Sequence, residues 1–253
     1  MLITAALIIG LFVLWYAFFN PWVVGLRQEQ VAAEQSRELM KQIQGAAPAP
    51  TASPAPTQKP TDPAPSASST AAPQTPGAAA PSMPIMAEPA RVADTIGVIY
   101  VPRFGGDWRR IIRQSVDTER VLNSVTAGVG HYTGTAMPGA AGNFAVAAHD
   151  IGYGNSFLNV SKLRLGDKIY IQTPLGWYTY TFRNFQFVQP DAVSVIDAVP
   201  TVSRTPGNDR FITLTTCYPA IFPPLERVAA YGTFVGFDTA APAELAPLLA
   251  KDG

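Results

Sequence analysis

The sequence contains very few residues that can ligate a metal or attack a carbonyl group. It has one cysteine, Cys217, and two histidines, His131 and His149. A single cysteine cannot form an intrachain disulfide, so cysteine usage does not identify a compartment. No cluster of His, Cys and carboxylate residues has the spacing of metal ligands. We therefore predict neither a metal ion nor another cofactor.

An excess of charge of either sign is also missing. The 18 Lys and Arg residues balance the 18 Asp and Glu residues, so the formal net charge is zero. Proteins that bind nucleic acid usually carry a basic surface that neutralises phosphates. We therefore expect no nucleic acid among the partners.

Charged side chains are absent from Met1–Leu26. A helix of this length measures about 39 Å, which is enough to cross a hydrocarbon core of about 30 Å. The aromatic residues Trp15, Tyr16 and Trp22 are suited to the membrane interface. A cleavable signal peptide is the alternative, but it requires a basic n-region and a short apolar core, and this segment has neither. We predict a transmembrane anchor over residues 1–26.

The sequence leaves the orientation of this anchor open. Arg27, Arg37 and Lys41 follow the apolar segment, and no basic residue precedes it. By the positive-inside rule, the C-terminal side would then lie in the cytoplasm. An upstream start or an additional segment would change that assignment.

Two segments of different composition follow the anchor. Residues 27–44 are rich in helix formers, with acidic and basic residues at helical spacing, and we predict a solvated juxtamembrane helix. Residues 45–90 contain 12 of the 24 prolines and only three charged residues. Such a chain cannot bury enough apolar surface to fold. We predict a disordered Pro/Ala-rich linker, which serves as a passive connection or as a stalk that carries a domain away from a membrane.

Residues 91–238 have the pattern of a folded domain. Short apolar runs recur at strand spacing, with Gly, Pro, Asn and Asp between them. The predicted strands are Ile96–Val101, Phe144–Ala148, Lys168–Thr173, Trp177–Val188, Phe211–Cys217 and Val228–Phe237. Only Trp108–Val125 has a helical pattern. Many strands with little helix indicate an all-β barrel or sandwich, followed by a tail over residues 239–253 that is long enough for a short helix.

The single cysteine lies at the end of the strand Phe211-Ile-Thr-Leu-Thr-Thr-Cys-Tyr-Pro219. Pro219 must interrupt the strand because proline has no N–H group to donate. A side chain at such a strand end is held by the sheet and can still meet solvent, as reactive groups require. A buried and inert cysteine is the alternative. As a nucleophile, Cys217 would need a base or a cationic neighbour, since a free thiol is mostly protonated at neutral pH.

Two further residues are candidates for a common site with Cys217. His149 ends the strand Phe144–Ala148, and the two side chains would emerge at one sheet edge if the two strands were adjacent and parallel. Arg227 opens the strand that follows Cys217, and a hairpin would bring it beside the thiol. His131, in a glycine-flanked loop, is the alternative histidine. Each residue alone has an ordinary structural explanation, and the conjunction favours a catalytic site.

Several spaced motifs resemble those of a known family. Phe211–Pro219 resembles the active-site strand of sortases, the membrane-bound cysteine transpeptidases of Gram-positive bacteria. Gly130-His-Tyr-Thr-Gly-Thr-Ala-Met-Pro-Gly139 and Gly142-Asn-Phe-Ala-Val-Ala-Ala-His149 are similar to the class E branch found in actinobacteria. Ile99-Tyr-Val-Pro-Arg-Phe-Gly105 and Leu165-Gly-Asp-Lys-Ile169 resemble two further signatures. The resemblance covers residues 94–238.

The resemblance implies a closed eight-stranded β-barrel with short helices and a defined set of functional residues. Cys217 would be the nucleophile, His149 the acid and base, and Arg227 the group that stabilises the oxyanion. Tyr132 and Thr216 would contact the substrate. In addition, the segment Pro190–Asp209 would form a wall of the groove for the sorting signal.

Two residues depart from the family pattern. His149 is preceded by Ala148 where glycine is usual, and it is followed by Asp150 where arginine is common. Neither change removes a catalytic atom. Asp150 would favour the imidazolium form and alter the local charge.

The function implied by the resemblance is acyl transfer outside the cell. A single-pass membrane enzyme would cleave secreted proteins at a Leu-Ala-x-Thr-Gly or Leu-Pro-x-Thr-Gly signal, between Thr and Gly, and join them to an amine of a peptidoglycan precursor. L,D-transpeptidases have a Ser-x-Gly-Cys type of motif that is absent here, and NlpC/P60 peptidases have cysteine before histidine. The non-enzymatic alternative is a membrane-tethered wall-binding or scaffold domain in which Cys217 is buried and inert.

Overall fold

A computed structural model of the protein describes residues 2–46, 83–220 and 225–252. A long helix is followed by eight strands and a short C-terminal helix. The elements are α1 Leu2–Ala46, β1 Thr95–Tyr100, β2 Arg109–Gln114, β3 Val129–His131, β4 Gly142–Ala148, β5 Lys168–Thr173, β6 Gly176–Val188, β7 Arg210–Tyr218, β8 Glu226–Asp238 and α2 Ala246–Leu249.

The eight strands form one closed barrel in the order β1-β2-β3-β4-β7-β8-β6-β5. Strand β4 pairs with β7 in parallel, and so does β2 with β3. The remaining neighbours are antiparallel. The closed eight-stranded barrel implied by the family resemblance is therefore confirmed, and the sandwich alternative is wrong.

Alternation along the strands fills the barrel interior. Strand residues that face inwards are apolar, most of them are large, and several are β-branched, which suits a pleated surface packed on one side. On the strands that matter for the site, the buried inward-facing residues are Phe144, Val146, Ala148, Ile212, Leu214, Val228 and Ala230. The residues between them on each strand consequently face outwards.

The helix predicted over Trp108–Val125 is wrong. Residues Arg109–Gln114 form strand β2, and only Thr118–Leu122 form a helical turn. The cause is burial on both faces of the strand. Ile112 faces the barrel interior, whereas Ile111 packs outside the barrel against α1. Two adjacent apolar residues thus imitate the pattern of a helix.

Helix α1 continues without a break from the apolar segment into the residues that follow it. Its N-terminal part is long and apolar enough to cross a membrane. Residues 27–44 lie within α1, and one side of this part of the helix is packed on the barrel instead of solvated. Ala32, Leu39 and Ile43 are buried against residues of β1, β2 and β6 outside the barrel. The segment just beyond the span is therefore part of the folded domain.

The segment just before β1 also contacts the barrel. The linker predicted over residues 45–90 includes residues 83–90, yet Met83 and Met86 pack against the core and the Tyr178 hydroxyl donates to the Pro84 carbonyl at 2.6 Å. Glu88 accepts hydrogen bonds from Gln114 and from a backbone N–H. The linker prediction is thus too long at this end, and residues 47–82 lie outside the described part of the chain.

The C-terminal tail contains the short helix that we expected. Leu245 and Leu248 are buried in the cluster formed by α1 and the outside of the barrel. Asp252 forms an ion pair with Arg109 of β2, and its carbonyl accepts a hydrogen bond from Arg37 of α1 at 2.6 Å. The tail thereby fastens α1 to the barrel.

Candidate active site

Three strands bring the predicted catalytic residues to one end of the barrel. In the parallel pair of β4 and β7, Ala147 lies opposite Thr215. His149 and Cys217 each follow two residues later. In the antiparallel pair of β7 and β8, Cys217 lies directly opposite Arg227. The parallel pairing of β4 with β7 and the hairpin of β7 and β8, which a common site needs, are therefore both present.

Cys217 and Arg227 share the outer face of the sheet. Ala148, Leu214 and Val228 face the barrel interior. Because successive side chains point to opposite faces, the neighbouring positions Cys217 and Arg227 face outwards. In an antiparallel pair, the Cβ atoms of directly opposed residues are about 5 Å apart. Thiol and guanidinium thus belong to one surface of the molecule.

Cys217 is neither sealed in the core nor fully exposed. Burial raises the pKa of its thiol above the ordinary value. The positive charge of Arg227 opposes this effect, and the negative charge of Asp150 adds to it. The surroundings of the thiol therefore favour its neutral, protonated form.

His149 is half-buried and is held by two loops. Its Nε2 atom lies 3.0 Å from Asn123 Oδ1, and its ring lies 5.2 Å from the ring of Tyr153. Asn123 Nδ2 donates to Glu119, which fixes the orientation of the amide. Since an amide oxygen only accepts, the bond requires a proton on Nε2 of His149 and leaves Nδ1 unprotonated in the neutral ring.

Burial lowers the pKa of His149 below its usual value, although the nearby Asp150 carboxylate raises it. Asp150 itself is buried, and this burial raises the pKa of its carboxyl group. One of its oxygens accepts from the Ile151 N–H at 2.8 Å, and the other has no hydrogen-bond partner among the described residues. The expected effect of Asp150 on the imidazole is present, but burial outweighs it.

A groove with a cavity of about 170 Å³ runs along β7 and β8, and Arg227 is among the residues that line it. Cys217 lines a separate cavity of about 40 Å³. The larger cavity is lined by Tyr132, Val188, Gln189, Pro190, Ala192, Val193, Val195, Ile196, Thr215, Arg227 and Ala229. Most of the wall thus comes from the connection between β6 and β7, where we predicted a wall of the groove.

The β6–β7 connection is fastened to the floor of the groove. Val195 packs against Ala229 and Tyr231 of β8. The side-chain amide of Asn143, on β4, donates to the Val195 carbonyl at 3.4 Å and to the Asp197 carbonyl at 3.1 Å. Contacts with β4 and β8 therefore hold the wall of the groove in place.

A family model described as the sortase domain matches residues 99–235 of the 253-residue chain. The chain belongs to the sortase family. It is 38% identical to Sortase SrtE1 of Streptomyces coelicolor over 130 residues, which cover 49% of this chain and 36% of that protein. It is 32% identical to Sortase SrtE2 of the same organism over 147 residues, which cover 55% and 56% of the two chains. This sortase thus spans between about a third and just over half of the curated relatives it matches.

Solved structures agree with this assignment. The SrtA sortase from Actinomyces oris is similar at a TM-score of 0.58 and 31% identity, covering 65% of this sortase and 94% of that chain. Sortase E from Streptomyces avermitilis matches at 0.52 and 33% identity, covering 60% and 96%. Sortase E1 from Streptomyces coelicolor, solved with a tripeptide in the active site, matches at 0.54 and 31% identity with the same two coverages. The resemblance to class E is thereby confirmed.

The two predicted substrate contacts of this sortase lie on different sides of the sheet. Tyr132 lines the cavity, and its hydroxyl is 2.9 Å from Thr215 Oγ1. Thr216 is buried, and its hydroxyl donates to the Ala148 carbonyl at 2.8 Å. Thr216 lines a separate cavity of about 40 Å³ together with Asp150 and Cys217. Thr215 thus lines the groove with Tyr132, and Thr216 lines the smaller cavity beside Cys217.

Sequence reasoning missed three residues that hold the site together. Strand alternation alone places Thr215 on the same face as Cys217, because it lies two residues before Cys217 on the same strand. Asn123 and Tyr153 lie in loops, and no local signal links them to His149. His131, the alternative histidine, is fully buried and bonded to Gln114 and Thr135. Within the described residues of this sortase, no group of three His, Cys, Asp or Glu side chains could hold a metal ion.

Proposed function

We propose that the protein is a membrane-anchored cysteine transpeptidase that cleaves a sorting signal and transfers the acyl group to an amine. The observation that carries this proposal is the direct pairing of Cys217 with Arg227, at the strand end next to the one that leads to His149. A nucleophile, an acid–base group and a permanent cation on one surface are the parts that acyl transfer requires.

In the first step, the Cys217 sulfur attacks the carbonyl carbon of the threonine in the signal. The thiol proton passes to His149, and the carbonyl oxygen becomes an oxyanion. Arg227 donates N–H groups to that oxygen, because its guanidinium stays charged and presents several donors. The carbon–nitrogen bond then breaks, His149 returns a proton to the leaving glycine amine, and a thioester on Cys217 remains.

In the second step, the amine of the acceptor attacks the thioester carbon. His149 takes a proton from this amine and then protonates the departing sulfur. A new amide bond forms and the Cys217 thiol is restored, so that no oxidant, reductant or metal is consumed. Because the resting thiol has a raised pKa and the resting imidazole a lowered pKa, both groups start neutral and exchange one proton during attack.

The groove beside Arg227 supports a peptide substrate of extended shape. It is lined by apolar residues of the β6–β7 connection and by the hydroxyl-bearing Tyr132 and Thr215. The Streptomyces coelicolor Sortase E1 structure contains a tripeptide in its active site. By likeness to the family, we propose a signal of the Leu-Ala-x-Thr-Gly or Leu-Pro-x-Thr-Gly type, and an acceptor amine from a peptidoglycan precursor.

The location that fits this chemistry is the outer side of the cell membrane. The apolar part of α1 is long enough to cross a bilayer once, and the barrel follows it. Secreted proteins and wall precursors meet on that side. We therefore propose a single-pass protein with an extracellular barrel, tethered close to the bilayer by α1.

The scaffold alternative requires an inert cysteine inside the core. The half-buried position of Cys217, on the outer face and opposite a guanidinium, argues against it. An inert cysteine of the core would be surrounded by apolar side chains instead.

The decisive experiment incubates the full chain, in detergent or in bilayer discs, with sorting-signal peptides and a small amine such as triglycine. We expect mass spectrometry to show peptide cut after threonine and joined to the amine. Cys217→Ala should abolish both products, whereas Cys217→Ala with unchanged turnover would refute the mechanism. If the wild-type chain yields neither product with any signal peptide, the scaffold function takes precedence.

A further inference from the structure

Gln28 is a buried polar residue on α1, two positions beyond the last residue of the apolar segment. Its side chain is fully buried. The amide nitrogen donates to the carbonyl oxygens of Ser124 at 2.7 Å and Tyr153 at 3.0 Å. The amide oxygen accepts from the Ser156 hydroxyl at 3.2 Å. One side chain of the juxtamembrane helix thus connects two loops of the barrel.

Two glycines line the space that the Gln28 side-chain amide occupies. Gly128 and Gly154 have φ values of +89° and +91°, a region that side-chain-bearing residues rarely adopt. A Cβ atom on Gly128 would lie 2.7 Å from Gln28 Nε2, and one on Gly154 would lie 2.2 Å from Gln28 Oε1. Both contacts are too short for real atoms. Glycine at both positions therefore leaves the room that the Gln28 side chain needs.

Both loops held by Gln28 lead to the imidazole of His149. Ser124 directly follows Asn123, whose side-chain oxygen accepts from Nε2 of the ring. Tyr153 presents its own ring to the imidazole at 5.2 Å between centroids. The contacts of the His149 ring with Asn123 and with Tyr153 thus depend on two loops that are both hydrogen-bonded to the Gln28 amide.

A neighbouring pair supports the same loop. Arg110, on β2, donates to the Gly154 carbonyl and to the Ser156 hydroxyl, both at 3.2 Å. Its guanidinium also forms an ion pair with Glu29, the residue after Gln28 on α1. The β4–β5 connection is therefore fixed from two directions by adjacent residues of the helix.

We propose that Gln28 is a positioning residue for catalysis, which fixes the ring of His149 by holding the loops that carry Asn123 and Tyr153. The inference rests on the proposed function, because it treats His149 as the acid and base of the reaction. The inference also goes beyond the proposed function, because it gives α1 a part in catalysis in addition to its part as a membrane tether.

A purely structural role for Gln28 makes a different prediction. Docking of α1 to the barrel also depends on Leu39, which is buried in an apolar cluster that contains neither of the two ring contacts, Asn123 and Tyr153, and none of the residues that bond Gln28. If Gln28 only docked the helix, Leu39→Ala and Gln28→Ala would have the same consequences for His149. Positioning predicts that only Gln28→Ala affects the ring.

The test uses the two histidines as paired reporters in the full chain. Imidazole NMR signals of histidine-labelled protein are followed against pH, with His149→Gln used for assignment. In Gln28→Ala the loops should loosen, water should reach the ring, and the His149 titration should move upwards toward an ordinary value. The His131 signal should not move. Gln30→Ala, a change of the same residue type at an exposed position of the helix, should move neither.

The other charged or titratable groups around the ring are unchanged in these variants. They are Glu119, Asp150, Tyr153, Cys217 and Arg227. A shift of the His149 titration can therefore be assigned to the position and solvation of the ring. Gln28→Met provides a second uncharged variant, which keeps the length of the side chain but removes both N–H donors. It should move the His149 signal in the same direction.

Turnover of sorting-signal peptide provides the second readout. We expect Gln28→Ala and Gln28→Met to lower kcat about tenfold with KM nearly unchanged, since a displaced acid–base group slows chemistry more than binding. An unchanged His149 titration in both variants would overturn the proposal, and so would an equal shift in Leu39→Ala. Because the NMR arm needs no substrate, it remains decisive even if the peptides are not turned over, and that second result counts against the proposed function alone.

Discussion

Cys217 and Arg227 lie directly opposite each other in the antiparallel pair of β7 and β8. The guanidinium lowers the pKa of the thiol, while burial of the thiol raises it by more. Arg227 is thus close enough to the sulfur to act on a charge that forms there. An oxyanion formed by attack of this sulfur would arise beside the same guanidinium.

We predict that Arg227→Lys lowers kcat by about 100-fold, although the positive charge is kept. A lysine ammonium is a point charge without the planar set of donors that a guanidinium offers to an oxyanion. The measurement is steady-state turnover of a sorting-signal peptide by the full chain. Near-normal rates in Arg227→Lys would remove this residue from the oxyanion role.

The reactivity of the thiol should follow the two charges beside it. Arg227→Gln removes the charge that lowers the thiol pKa, so the pH midpoint of alkylation should rise. Asp150→Asn removes the charge that raises the thiol pKa, so the midpoint should fall. Because Cys217 is the sole cysteine, the rate of iodoacetamide labelling against pH reports on it alone. Shifts in the opposite directions would show that the charges do not act on the thiol as described.

Thr215 and Thr216 should differ in what their substitution changes. Thr215 lines the groove with Tyr132, and we expect Thr215→Val to raise KM for the peptide several-fold. Thr216→Val leaves the Ala148 carbonyl without its donor, and we expect a loss of about 1–3 kcal/mol in the free energy of unfolding. Peptide kinetics and thermal unfolding of both variants distinguish the two roles. A larger KM effect in Thr216→Val would restore the original assignment.

The buried His131 should make the protein sensitive to acid. Burial lowers its pKa, and Glu88 only partly offsets this effect. The unfolded chain therefore binds the proton first, so stability is complete above about pH 6.5 and is lost as the pH falls below that value. His149 changes stability in the same direction.

We predict that His131→Gln, compared with wild type, shows a weaker loss of stability between about pH 7.5 and pH 5.5. Thermal unfolding at several pH values measures this difference. His149→Gln is the matched control for the second histidine. An unaltered pH dependence in His131→Gln would show that this residue is not the acid-sensitive group.

The sequence was sufficient to predict the parts of the site that lie on strands. Pro219 ends the strand of Cys217, and the strand that follows begins near Arg227, so a hairpin was enough to pair the two residues. The strand of His149 needed one assumption, a parallel neighbour, which the structure confirms. Strand ends and alternation are local properties, and local properties are readable from residue types.

The contacts that surround the catalytic residues could not be predicted in this way. Asn123 reaches His149 across 26 positions of the chain, and Gln28 reaches Tyr153 across 125. Neither residue has a signal of its own, because a polar side chain in a loop or on a helix is usually solvated. The same limitation explains the helix predicted at Ile111 and Ile112, since packing of α1 outside the barrel is a tertiary contact.

The central claim is that Cys217 forms the covalent bond with the substrate, and intact-mass spectrometry of the full chain tests it most directly. Incubation with a sorting-signal peptide, in the absence of an added amine, should yield a protein whose mass is increased by the acyl part of the peptide up to threonine. Fragmentation should assign the added mass to Cys217, and hydroxylamine should release it. Turnover of the peptide with no adduct on Cys217, or with the same adduct in Cys217→Ala, would contradict the account.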